Sequence, residues 1–344
     1  MTSMESNNDS TNNGPFHSGR PFRGAAGCAL AAFITAAIAA VLTDLAEWET
    51  LTGWLTTLMW LSLPAYFITA VLSIEAEGRG WSERVFTVVT FMFVAVFVTM
   101  AFLLVIADAL YINWTAVVEV ARSPFIGQAL RLSIVTSVIT TALALMFAIP
   151  MGYALSRYDF PGRTLADTVV DIPIVFPPLV AGLTLLVFFS QTGIGRWIEE
   201  DLGLVFVFQR KGIVLCQFVI SASFAIRSAK TAFDEVDRRL EKVALTLGYT
   251  SWRSFLHVSL PLASRGVMAG GILTWARAFG VFGPLMIFVG SFRGRTEVLS
   301  TTIFLEQSVG NLEGALTVAL LLISVATVAL LTIRLVGGQA LVKL

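Results

Sequence analysis

Residues 227–264 read RSAKTAFDEVDRRLEKVALTLGYTSWRSFLHVSLPLAS, and that stretch decides the fold. Phe233, Val236, Leu240, Val243, Ala244 and Leu247 recur at three- and four-residue steps, the spacing of an amphipathic helix. Asp234, Glu235 and Asp237 stand early, where the partial positive charge of a helix N-terminus favours acids. Gly248 follows the last apolar residue, as a glycine that stops a helix in left-handed backbone would. Thr250 or Ser251 is a candidate N-cap for a second, short helix over 252–258. Pro261 then closes the unit. The segment also carries Arg227, Lys230, Arg238, Arg239, Lys242 and Arg253. A basic helix–glycine–helix–proline unit of this kind has to be read against what flanks it.

What flanks it is apolar. Of 344 residues, 56 % are hydrophobic and 13 % charged, against about 25 % charged in a soluble domain. Mean hydropathy is +0.80. These values exclude a soluble enzyme, a disordered chain and a nucleic-acid-binding protein. They point to an all-α polytopic membrane protein, since a helix needs about 20 apolar residues to cross a hydrocarbon core of roughly 30 Å. Apolar runs at 25–43, 54–74, 85–112, 129–155, 168–190, 212–229, 265–290 and 312–336 predict eight transmembrane helices. The run 212–229 is the weakest, because it is short before it meets Arg227 and Lys230.

Residues 1–24 are rich in Ser, Asn, Gly and Pro and read as a disordered cytoplasmic tail. Arg20 and Arg23 precede the run 25–43 as in a signal peptide. That run is long for one and lacks a clear cleavage site, so it reads as a retained helix. Positive charges orient the chain. The loop 44–53 has three acids and no base, so it lies outside. The loop 156–167, with Arg157 and Arg163, lies inside, as does 227–264. Eight spans with both termini cytoplasmic satisfy all three. The loop 191–211, with Arg196, Arg210 and Lys211, is outside in this scheme and runs against the rule. Net charge is zero and names no partner. Two cysteines in separate runs and two histidines support neither a disulfide framework, nor a metal site, nor a membrane enzyme.

The spacing Gly248, nine residues, Val258-Ser259-Leu260-Pro261 resembles the EAA loop of permease subunits of binding-protein-dependent ABC importers. The Glu-Ala-Ala positions hold Lys242-Val243-Ala244, with Glu241 one place early, and Val258 replaces the family's Ile. Ala244, Gly248, Leu260 and Pro261 are retained. Over 85–338 the stretches ALRLSIVTSVITTALALMFAIPMGYALSRYDFPGR, DIPIVFPPLVAGLTLL and WARAFGVFGP are similar to the molybdate/tungstate/sulfate branch. Importers of iron(III), thiamine and polyamines share the general plan. The resemblance implies a six-helix type-I importer permease core, preceded by two additional helices within 25–84. It also implies a homodimer, separate ATP-binding cassette subunits docked on the loop, and an extracytoplasmic substrate-binding protein. Glu241, Ala244, Leu247, Gly248, Trp252, Phe255, Leu260 and Pro261 are then the coupling residues, with Leu247, Trp252 and Phe255 as apolar knobs for a groove on the ATP-binding subunit. No GxxxxGK[ST] motif occurs, so ATP is expected on the partner, and no cofactor is expected in this chain.

Two features mark a candidate translocation path. Residues 176–182, FPPLVAG, interrupt a span with two prolines and a glycine. Irregular backbone at membrane depth belongs where it is buried in protein or lines water, so Pro177, Pro178 and Gly182 are candidate path residues. Pro150-Met151-Gly152 is expected to end its helix. Arg277 stands near the middle of 265–290, where a charge is a functional hypothesis by default. It either faces an anion path or pairs with Asp171. A Glu that the family often carries four residues later is here Val281. An ion-coupled secondary transporter would instead show inverted repeats and midplane carboxylates, and neither is evident.

Overall fold

The computed structural model describes residues 81–340, with the expected tail and the spans 25–43 and 54–74 lying outside them. The described residues are all-helical, with no strand. The chain divides into two compact units, residues 1–111 and 112–344. In the first, one long helix is described, α1 (Trp81–Tyr111). Phe86, Phe93 and Phe97 on it are exposed, as suits a helix facing lipid.

The second unit runs α2 (Trp114–Arg122), α3 (Pro124–Arg157), α4 (Arg163–Val175), α5 (Pro178–Gln191), α6 (Gly193–Glu200), α7 (Arg210–Asp234), α8 (Arg238–Thr246), α9 (Ser251–Ser254) and α10 (Leu260–Phe279). It ends with α11 (Gly283–Phe288), α12 (Leu299–Ser308) and α13 (Leu312–Ala340). Among the described residues four helices, within α1, α3, α7 and α13, are long and apolar enough to cross a membrane. The pair α4 and α5 makes a fifth if its two parts are one span, and it bends by 110° between them. The bend has a local cause. Pro177 and Pro178 lack N–H groups to continue a helical ladder, and Pro178 is the first residue of the new helix, a position proline favours. The expected span 265–290 is likewise broken, at Gly280–Phe282 between α10 and α11.

The centre is α3 against α7 and α10. Without a hydrophobic force between helices in lipid, small residues drive association by letting backbones approach. Along α3 the buried positions Ala129, Ser133, Ser137, Thr140, Ala144, Ala148 and Gly152 fall three or four apart. They meet Cys216, Gln217, Ser221, Ala225 and Ala229 of α7. A Cβ on Gly152 would stand 2.8 Å from Ala229 Cβ, and one on Gly270 would stand 2.3 Å from Ser228 Cβ. Thr140 donates to Gln217 Oε1 at 3.0 Å, so the one buried amide on this seam is satisfied.

Two expectations about helix ends are corrected. The helix of Pro150 does not stop there but runs on to Arg157. The span read as 212–229 extends to Asp234, so residues 227–234 are helix and not loop. Arg227 and Lys230 are accommodated because α4 presents acids to them. Arg227 Nη1 lies 2.8 Å from Asp167 Oδ1 and also pairs with Asp171, and Lys230 Nζ lies 2.9 Å from Asp167 Oδ2.

Candidate functional site: the loop 235–261 and the cavity at Arg277

At one end of the central bundle the chain leaves α7, turns, and lays α8 and α9 across it. Asp237 caps α8, accepting from the Arg239 N–H at 2.9 Å. The C-terminus closes through two backbone bonds. Gly248 N–H reaches Leu245 O at 3.0 Å and Tyr249 N–H reaches Ala244 O at 3.1 Å, a Schellman arrangement. It needs left-handed backbone at Gly248, whose φ is +91°. Thr250 caps the next turn, accepting from Arg253 N–H at 3.3 Å. The glycine stop and the threonine cap are as the sequence reading has them, but its first helix is not one element: Phe233 and Asp234 end α7, the chain turns at 235–237, and only Asp237 of the three early acids caps α8.

The end of the unit also differs from the expectation. Pro261 does not close α9. A π-helical turn, Phe255–Ser259, joins α9 to α10 without a gap, and Leu260 N–H bonds to Phe255 O. Proline has no N–H to donate and its ring clashes with the carbonyl four residues back. Widening the helix to an i→i−5 pattern relieves this. The loop is therefore continuous with α10, and Leu260 and Pro261 sit in its first turn.

Glu241 holds the loop to the bundle. Its carboxylate accepts from Arg157 Nε at 2.7 Å, Ser259 Oγ at 2.7 Å and Tyr153 Oη at 3.3 Å. The side chains of Arg157 and Glu241 are 5 % and 14 % exposed, so this is a largely desolvated pair. Arg157 Nη2 also donates to Val236 O at 2.9 Å, Ser156 Oγ donates to Asp234 at 2.6 Å, and Arg238 donates to Ser156 O. Beneath them Tyr153 packs edge-on against Phe233 and Phe255, ring centres 5.4 and 4.7 Å away. Ala244 is the buried residue of α8.

Of the three expected apolar knobs, two are exposed and one is buried. Leu247 is 76 % and Trp252 65 % exposed. Phe255 is buried in the aromatic cluster and anchors the loop from within. Arg239, Lys242 and Arg253 are exposed around the knobs. The unit thus presents an apolar tip with a basic rim, on a base fixed by a buried ion pair.

The second candidate site lies where the two helix breaks face each other. Pro177 and Pro178 from the α4–α5 bend, and Arg277, Gly280, Val281, Gly283 and Pro284 from the α10–α11 break, line a cavity of about 470 Å³. Three of the four expected path residues therefore meet. Gly182 does not line the cavity and is packed behind it, where a Cβ would stand 2.7 Å from Pro284 Cα. Arg277 does not pair with Asp171, which Arg227 has taken. Its guanidinium lies 5.6 Å from the Phe224 ring centre, a cation–π contact, and it makes no ion pair among the described residues. Its guanidinium has no hydrogen-bond acceptor among the described residues.

Sequence reasoning missed Tyr153, Ser156, Arg157 and Ser259 as part of the loop's anchor. Arg157 was legible only as a basic loop residue, and Ser259 only as the variable position of the Leu-Pro motif. Cys216 is buried and free, and no cluster of His, Cys, Asp and Glu among the described residues could hold a metal.

The family described as "Binding-protein-dependent transport system inner membrane component" matches residues 144–338. Those residues include the loop and both helix breaks. The molybdate/tungstate transport system permease protein WtpB of Thermococcus kodakarensis is 40 % identical over 170 residues, 49 % of this chain and 64 % of that protein. The molybdenum transport system permease protein ModB of Escherichia coli is 35 % identical over 206 residues, 59 % of this chain and 90 % of that protein. The sulfate transport system permease protein CysT of Escherichia coli is 31 % identical over 224 residues, 64 % of this chain and 80 % of that protein. Among solved structures, a bacterial ABC transporter involved in import of the acidic polysaccharide alginate superposes with a TM-score of 0.58 at 17 % identity. The superposition covers 75 % of this chain and 96 % of that chain, a likeness of fold.

Proposed function

Because the chain belongs to the family of binding-protein-dependent transport system inner membrane components, we propose that it is the membrane-spanning subunit of an ATP-driven importer of an inorganic oxyanion: molybdate, tungstate or sulfate. The observation that carries the reading is the loop 235–261, an exposed apolar tip on a base clamped by Glu241 to Arg157. Such an element passes force from a docked partner into α3 and, through the unbroken π turn, into α10. The relatives' names support the choice of cargo.

The chain acts as two copies. ATP is bound and hydrolysed on separate subunits that seat Leu247 and Trp252. Their closure moves the loops together, tilts α3 and α10, and opens the path to an extracytoplasmic binding protein. The released anion passes the cavity at Pro177, where Arg277 offsets its charge. Hydrolysis restores the inward-open state. Both termini and the loop lie on the cytoplasmic side of the cell membrane.

Proteoliposomes holding this chain, its ATP-binding subunits and a binding protein test the reading. Labelled molybdate, tungstate and sulfate are offered beside iron(III), thiamine and spermidine. ATP-dependent uptake of one of the three oxyanions, reduced at least tenfold by Arg277→Gln, is the expected result. Uptake of a cation instead, or of an oxyanion without ATP, would overturn it.

A further inference from the structure

A second polar cavity, of about 570 Å³, opens at the end of the bundle opposite the loop. Gln128 and Arg131 of α3, Arg210 at the start of α7, and Gly294, Arg295 and Glu297 of the segment before α12 contribute to its wall. Arg210 is spoken for, since its Nε donates to Arg295 O at 2.8 Å and its Nη2 to Gly294 O at 3.3 Å. The Arg131 and Arg295 side chains are exposed and have no hydrogen-bond or ion-pair partner among the described residues. Glu297 is 3 % exposed, and its Oε2 is buried with no hydrogen-bond partner. A wall with two unpartnered guanidiniums and one buried carboxyl oxygen without a hydrogen bond is polar structure without an internal use.

We propose that this cavity binds a tetrahedral oxyanion, drawn by Arg131 and Arg295 and admitted when Glu297 is neutral. Arginine's planar donors match oxyanion geometry, and two of them balance a divalent anion. An ionised Glu297 would add a negative charge to the same wall and oppose binding. Burial pushes the Glu297 carboxyl above its ordinary range, against opposing effects from the Thr302 side chain, Arg293 and the Gly294 backbone, so the neutral form persists to higher pH than in a free side chain. The charged and titratable groups around it are Arg131 on α3, Arg210 on α7, Arg293 and Arg295 on its own segment, and Glu306 on α12. Glu306 is paired with Arg293 and accepts from Asn311. The site lies outside the cavity at Arg277 and would be a staging point on the opposite face. The choice of probe anions rests on the transport reading.

The full-length chain in lipid nanodiscs, without ATP-binding subunits, is assayed for binding of labelled sulfate and molybdate over a pH series from 5 to 8, with chloride present. Saturable binding to the wild type is expected. R131Q/R295Q should weaken it at least tenfold, and wild-type binding should weaken as pH rises through the Glu297 titration, a dependence that E297Q lacks. Both arginines are exposed, so their variant should fold; E297Q, with a neutral isostere, gives the second test. No saturable binding by folded wild type, binding undiminished in R131Q/R295Q, or a wild-type pH dependence kept by E297Q would each overturn the proposal. Binding that survives R131Q/R295Q but disappears in R277Q would also overturn it, by placing the anion in the central cavity. Any of these results together with oxyanion uptake in proteoliposomes leaves the transport reading standing, whereas binding without uptake has the reverse meaning.

Discussion

Replacing Glu241 with alanine should detach the loop from the bundle at a cost that can be worked out. The carboxylate accepts three hydrogen bonds, from Arg157, Ser259 and Tyr153, and its partner Arg157 has a side chain only 5 % exposed. Removing one member of a buried ion pair costs about 3–5 kcal/mol, because the other charge is left desolvated. Arg157 would keep Val236 O, which argues for the lower end, about 3 kcal/mol, or a factor of about 100 in the unfolding equilibrium. Arg157→Met removes the charge that Glu241 neutralises, and the double variant leaves neither charge orphaned. A double-mutant cycle measured by equilibrium unfolding in mixed detergent micelles should therefore give a coupling energy of about 2 kcal/mol, within the range of contacting pairs. Single-variant effects that add to within about 0.5 kcal/mol would refute the claim that this pair fixes the loop.

Three further expectations follow from geometry. Gly248→Ala should destabilise α8 by about 1–2 kcal/mol and Gly248→Asn by less; no atom lies within 4 Å of the added Cβ, so backbone conformation alone is penalised. Amide hydrogen exchange over 238–250 would report it. Gly152→Ala should cost about 1–3 kcal/mol through the clash with Ala229 and Lys230, whereas Gly127→Ala on the same helix, with nothing near its Cβ, should be neutral or stabilising; thermal unfolding separates them. The Glu297 carboxyl is raised above the ordinary 4.5 by burial, so the fold prefers its neutral form. Stability from this group is full below the ordinary value and falls as pH rises from there to the folded-state value. Glu297→Gln should accordingly flatten that part of the pH–stability profile.

The loop was legible because its signals are local. Asp237, Gly248 and Thr250 each act on backbone within three residues, and the glycine-to-Leu-Pro spacing survives from sequence to structure. Helix ends in the membrane were less legible because distant partners decide them. Arg227 and Lys230 look like the end of a span until Asp167 and Asp171 arrive from α4, sixty residues earlier in the chain. The same capture leaves Arg277 without an acid among the described residues, so its pairing with Asp171 is the reading that fails. Phe255 and Trp252 are alike in composition and three apart, yet one is core and the other surface. The difference lies in Tyr153 and Phe233, which pack against Phe255 from other helices and which no periodicity around it predicts. Arg157 and Tyr153 pair with Glu241 across more than 80 residues, beyond the reach of local pattern.

The most direct test of the central claim is co-purification of the ATP-binding subunit with this chain when Leu247 and Trp252 are both changed to serine. Both side chains are exposed, so the variant should insert and unfold like wild type. The account predicts that the ATP-binding subunit no longer co-purifies and that ATP-dependent oxyanion uptake is lost. Undiminished association and uptake would contradict the assignment of the loop 235–261 as the site where ATP-driven closure enters this subunit.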